Sequence, residues 1–193
     1  VVIGVLIAVV RSSADKLDRP PLVVKILNVI CKLYLTVIRG TPAMIQLLIM
    51  YYIVFGSVDV SKRLVAILTF GINSGAYVAE IIRSGIQAVD GGQMEAARSV
   101  GFSSGEAMRL VVLPQAIRNI LPALGNEFVT VIKESSIVSV IGIADLMFRT
   151  NDVIAVTYKN LECLAVAALC YFVLTFVSGR AVSLAERKLS HGK

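Results

Sequence analysis

Glu127 and Glu134 stand seven residues apart in a stretch that is otherwise largely apolar. On an α-helix this spacing puts both carboxylates on one face, about 10 Å apart along the axis. Thr130 lies between them on that face, and Lys133 lies on a neighbouring one. Ionisable groups are costly inside a bilayer, so residues of this kind are candidates for function. Two carboxylates so placed suit a zwitterion with a cationic side chain. Its α-amino group faces one acid and its side-chain cation the other, while Lys133 or helix-end amides face its carboxylate. A neutral polar molecule leaves one acid unpaired, and an acidic one is disfavoured. The structural alternative pairs Glu134 with Lys133 or Arg149, and Glu127 with Arg118.

Other polar side chains could line the same space. Asn73, Tyr77, Glu80 and Ser84 follow a helical stripe, with Gly71, Gly75 and Ala79 forming a small-residue stripe suited to close helix contact. Gln46, four residues after Pro42, can bond a ligand or a neighbouring helix, and Glu80 can pair with Arg83. Catalytic residues are not expected. His191 is the only histidine, and no Ser–His couple, Cys–His couple or metal-ligand cluster accompanies it. Cys31, Cys163 and Cys170 are odd in number, without CxxC spacing, and read as packing residues. No GxxxxGK[ST] phosphate loop occurs, so nucleotide hydrolysis is not expected in this chain.

The elements that must position these groups are membrane helices. The 193 residues are 56% hydrophobic and 17% charged, with a mean hydropathy of +0.81. The 19 Lys and Arg are scattered, without an aromatic stacking surface, which argues against nucleic acid. The fold class expected is all-α and polytopic, one domain over 1–193 with five transmembrane helices. The first, "VVIGVLIAVV", is too short for the roughly 20 residues a span needs, so Val1 is expected part-way down a truncated helix ending near Val10. The second runs from about Leu22 to Phe55 and is interrupted at "RGTP", giving a lead-in helix, a break and a spanning part. The third covers about Leu64 to Ser84, the fourth Pro114 to about Ile143, and the fifth about Leu161 to Leu184. With the first helix leaving on the cytoplasmic side, twelve Lys and Arg fall on inside segments, four on outside loops and three within spans.

Between the third and fourth spans lies a polar segment, about 89–113. Asp90-Gly-Gly-Gln93 and Ser103-Ser-Gly-Glu106 have the form of two capping boxes, and Gly101 stands where a left-handed helix end suits glycine. A cytoplasmic hairpin follows, its second helix "EAMRLVV" ended by Pro114. Tethered at both ends to membrane spans and lacking base-reading residues, it is not expected to bind DNA.

This segment resembles the EAA motif of ABC-importer permeases: Glu-Ala-Ala, three residues, Gly, nine residues, Ile, any residue, Leu-Pro. Glu95, Ala96, Ala97, Gly101, Leu113 and Pro114 match, and Val111 replaces Ile. "RGTPAMIQ", "GAYVAEIIRSGIQAV", "LPQAIRNILPALGNEF" and "KESSIVSVIG" are similar to the polar amino-acid uptake branch. The resemblance implies the ABC type I importer permease fold, with the hairpin as the coupling helix that docks on an ATPase subunit. Glu95, Ala96, Ala97, Arg98, Gly101 and Pro114 would then be the coupling residues. It implies a multi-pass protein of the bacterial plasma membrane, with hairpin and C-terminus cytoplasmic. The implied partners are a second permease subunit, identical or homologous, two ATP-binding cassette subunits and an extracytoplasmic solute-binding protein. No cofactor is expected on this chain, since ATP and Mg2+ would belong to the ATPase. Carboxylates at the positions of Glu127 and Glu134 hold the amino acid in related permeases. Arginine, lysine or histidine is the first expectation, glutamine the second. A transporter or channel not driven by ATP, and an intramembrane enzyme, are the remaining alternatives.

Overall fold

The computed structural model describes residues 1–16 and 21–190; Arg19, His191 and Lys193 of the sequence reading lie outside these residues. All the regular structure among them is helical. Helix α1 (Val2–Lys16) continues past Val10 through the polar "RSSADK". Helix α2 (Leu22–Gly40) stops at Thr41-Pro42, and α3 (Ala43–Ile49) follows, ending in a π-helical turn over Met50–Val54. Helices α4 (Lys62–Gln87) and α9 (Asn160–Ser190) are the longest. Among the described residues, Lys62–Gln87 and Asn160–Arg187 are the two segments long and apolar enough to cross a bilayer by length and composition.

Helix α4 is the hub, packed against α1, α2, α3 and α7, while α7 (Leu113–Glu134) packs in turn on α9. Two small cores form on α4. Near its start, Ala66 joins Leu47, Val138 and Ile141; nearer its end, Ala76 and Ala79 join Leu35. Small residues permit this closeness. A methyl group on Gly4 would lie 2.5 Å from Val78 Cγ1, and one on Gly85 would lie 2.3 Å from Ile120 Cγ1, far inside van der Waals contact. Most of the large apolar side chains of α9 stay exposed.

The break before α3 has a clear local cause. Pro42 donates no backbone hydrogen bond, which frees carbonyls at the end of α2. Gln46 Nε2 donates to the carbonyls of Ile38 (2.8 Å) and Thr41 (3.0 Å) and to Thr41 Oγ1 (2.8 Å). Its Oε1 accepts from Asn73 Nδ2 at 2.9 Å, fastening the break to α4.

Two further expectations about boundaries change. The second hairpin helix does not end at Pro114. Helix α6 (Ser104–Ala107) runs through a π-helical turn, Met108–Val112, straight into α7, with Pro114 in the first turn of α7. A proline is accommodated there because the π-helical turn before it already departs from the regular i→i−4 ladder, Leu113 N–H reaching back to the Met108 carbonyl. The region after Ile143, read as loop, holds helix α8 (Leu146–Thr157), capped by Asp145, whose Oδ1 accepts from Phe148 N at 2.8 Å. The polar run Arg149, Asn151 and Asp152 masked its helical period. Residues Ser135–Ile141 form a 3-10 segment after Glu134, closed by Gly142 at φ +76°. Ser135, Ser136 and Ser139 each donate to the carbonyl three residues back, the local competition that tightens a helix end.

Candidate substrate site and coupling hairpin

Helix α7 carries both candidate carboxylates, half-buried, on an axis that continues through Pro122. Glu127 faces α4: its Oε1 accepts from Ser74 Oγ at 2.8 Å. Glu134 is the last residue before the 3-10 segment. Lys133 is exposed. Among the described residues, no ion pair within 4.0 Å reaches Glu127, Glu134, Lys133 or Arg118, and Arg149 pairs instead with Asp152 at 3.1 Å. Thr130 Oγ1 bonds back to the Asn126 carbonyl at 3.0 Å.

The softer candidates have protein partners of their own. Gln46 and Asn73 bond to one another at the α2–α3 break, and Asn73 is only 4% exposed. Tyr77 lies under the Arg39 guanidinium, 5.7 Å from ring centroid to Cζ. Sequence reasoning missed Ser74. A serine in an apolar span usually bonds its own helix, and only the packing of α4 on α7 shows its partner.

A charged chain closes the other end of α4. Glu80 is bonded by Arg83, which reaches Asp15 of α1 at 3.9 Å, and Arg39 of α2 approaches Glu80 at 3.9 Å. These contacts join three helices where the hairpin begins.

The hairpin itself is built from its caps. Asp90 Oδ1 accepts from Gly92 N at 2.7 Å and starts α5 (Gly91–Ser99). Gln93 does not reach back to complete a box; its Oε1 accepts from Gln115 Nε2 at 3.1 Å. Gly101, at φ +98°, ends α5, its N–H donating to Arg98 and the Phe102 N–H to Ala97. The Ser103–Glu106 box is complete, with Ser103 N to Glu106 Oε2 at 2.8 Å and Glu106 N to Ser103 Oγ at 3.3 Å. The hydroxyl and then the amide of Ser103 hold the Glu106 carboxyl below its ordinary range. Ala97 and Ala107 are buried inside the hairpin, 5% and 0% exposed, whereas Glu95, Ala96 and Arg98 face outward.

The sequence pattern of binding-protein-dependent transport system inner membrane components matches residues 21–191. The chain belongs to that family. Over 165 residues it is 44% identical to the arginine transport system permease protein ArtQ of Bacillus subtilis (strain 168), covering 83% of this chain and 74% of ArtQ. Over 192 residues it is 36% identical to the putative glutamine transport system permease protein GlnP of Rickettsia typhi, covering 97% of this chain and 83% of the relative. A solved amino acid ABC transporter with histidines superposes with a TM-score of 0.85 at 45% identity, covering 97% of this chain and 84% of that one. The inward-facing methionine transporter MetNI, at 19% identity and a TM-score of 0.71, shares the fold. This inner membrane component is therefore a permease subunit of an amino-acid ABC importer, a transport protein and not an enzyme, with the ATPase on a separate subunit.

Proposed function

We propose that this permease serves the import of cationic L-amino acids, with α7 and Ser74 forming the membrane binding site. One observation carries the reading: Glu127 and Glu134 share a face of α7, and among the described residues neither has a cation within 4.0 Å. Two carboxylates without a counter-charge are costly in an apolar surrounding, and a ligand bringing two positive groups offsets both. Ser74 fixes the rotamer of Glu127, Thr130 lies between the acids, and Lys133 offers a counter-charge for the ligand carboxylate. The name of ArtQ agrees with this reading. Glutamine is the second reading, favoured by the names of the relatives that carry it and by Lys133, which offsets part of the negative charge.

The outward residues Glu95, Ala96 and Arg98, with the exposed Phe102 at the turn, make the hairpin the surface offered to an ATPase groove. Two ATPase subunits require two levers, so the working membrane unit holds two permeases, identical or homologous. The exposed apolar surface of α9 suits lipid or that second copy. An external solute-binding protein would deliver the amino acid. Five spans with the hairpin and C-terminus in the cytoplasm fit the distribution of Lys and Arg. The hairpin lies at the end of α4 where Asp15 of α1 meets Arg83, which puts the exit of α1 on the hairpin side.

Competition for uptake into vesicles bearing the whole complex tests the substrate reading. Arginine should compete and glutamate should not, and both Glu127→Gln and Glu134→Gln should weaken arginine uptake. Competition by glutamate without arginine, or normal uptake by both variants, would overturn the two-carboxylate site.

A further inference from the structure

Gln115 belongs to neither the substrate face nor the EAA motif, yet it spans the joint between them. We infer that Gln115 is the positioning residue that makes this joint rigid, so that displacement of the hairpin moves α7 instead of bending the chain. The inference rests on the hairpin being the ATPase lever.

The joint is weak in its backbone. In the π-helical turn Met108–Val112 the Leu113 N–H reaches back five residues to the Met108 carbonyl. The next residue, Pro114, supplies no N–H to continue the ladder. Such turns and ladder gaps are where helices bend. Left alone, the hairpin could swing about this point and dissipate any push from a partner.

Gln115 spans this point with a side chain. Its amide carries two N–H donors, and both have acceptors across the joint. Nε2 donates to the Val111 carbonyl within the π turn at 3.0 Å and to Gln93 Oε1 on α5 at 3.1 Å. One side chain thus ties together α7, the turn and the first hairpin helix. Gln93 lies two residues before Glu95, and Glu127 lies twelve residues beyond Gln115, about 18 Å along α7. The brace therefore sits on the shortest path from the outward hairpin face to the carboxylate bonded by Ser74. Gln93 uses only its acceptor oxygen here, so a carboxylate at that position preserves the link and an apolar side chain removes it.

The experiment measures amino acid transported per ATP hydrolysed by the full complex in proteoliposomes, for wild type, Gln115→Ala, Gln93→Leu and Gln93→Glu. Gly101→Trp serves as the control for the lever itself. Gln115→Ala and Gln93→Leu should assemble, keep basal ATP hydrolysis and lose about fivefold in the transport-to-hydrolysis ratio. Gln93→Glu should retain the wild-type ratio, which a loss of mere hairpin stability would not predict. If Gln115→Ala fails to assemble, the two Gln93 variants decide, since equal ratios for Leu and Glu overturn the proposal. A wild-type ratio in Gln115→Ala also overturns it, provided Gly101→Trp abolishes coupling. If Gly101→Trp transports normally, the lever reading fails first and the proposal with it.

Discussion

Ser74 on α4 donates to Glu127 on α7 at 2.8 Å, joining the helix at the centre of the fold to the helix that carries both candidate carboxylates. The bond holds one oxygen of Glu127, and among the described residues no hydrogen bond or ion pair engages the other, which suits a ligand cation. A hydrogen bond to a charged group contributes about 1.5–3 kcal/mol, much of it through fixing the acceptor. Ser74→Ala should therefore assemble normally and raise the KM for uptake by about tenfold, with a smaller effect on the maximal rate. Steady-state uptake in proteoliposomes measures both. An unchanged KM would show that the serine only packs.

Gln46 presents the opposite case, a sequence candidate whose polar atoms are already engaged. It bonds the Ile38 and Thr41 carbonyls and Asn73 at the Pro42 break. Gln46→Ala leaves several of these groups unsatisfied, at about 1–3 kcal/mol for each buried one. The expected result is a lower unfolding temperature in detergent with little change in substrate affinity. A weakened affinity at unchanged thermal stability would return Gln46 to the binding site.

These two residues show what the sequence could and could not disclose. The break at "RGTP", the long third and fifth helices and the hairpin caps were legible because proline, glycine and Ser-x-x-Glu act on their own neighbours. The hinge into α7 was not, because Pro114 marks equally a helix end and a helix first turn, and only the course of the backbone separates them. Helix α8 was hidden because polar residues on one side of a short helix look like loop. The partner of Glu127 was beyond sequence reading, since residues 74 and 127 meet only through the packing of α4 on α7. Arg118 was the nearer guess by type, yet it forms no ion pair with Glu127.

Glu106 gives the hairpin a defined response to acid. Its folded pKa lies below the ordinary 4.5 because Ser103 donates to the carboxylate. A depressed acid contributes stability that is fully present above its unfolded pKa and is lost as pH falls through the folded value. The second hairpin helix should thus be insensitive to pH from 7 to about 5 and loosen below 4.5. Amide exchange across residues 103–112 of the detergent-solubilised complex follows this directly. Glu106→Gln keeps an acceptor oxygen without a titrating proton, so its exchange should no longer quicken with acid over that window; a response matching wild type would place the acid sensitivity elsewhere.

Gly85 tests whether α4 and α7 move as one body. A methyl group there would lie 2.3 Å from Ile120 Cγ1, and Ile120 is only 8% exposed, so it has little room to withdraw. Overpacking of this kind costs about 1–3 kcal/mol. Gly85→Ala should lower the unfolding temperature and weaken uptake together, because the helix pair that holds Ser74 against Glu127 is forced apart. Ile120→Ala alone removes buried methylene groups and should also destabilise, by about 2–5 kcal/mol. Combined, the two changes supply the missing volume at one site with the excess at the other. Unfolding temperatures of the four proteins in a double-mutant cycle should therefore show the pair less damaged than the sum of its parts. Strict additivity would mean that the α4–α7 contact yields at Gly85 without involving Ile120, and that the spacing between Ser74 and Glu127 is set elsewhere.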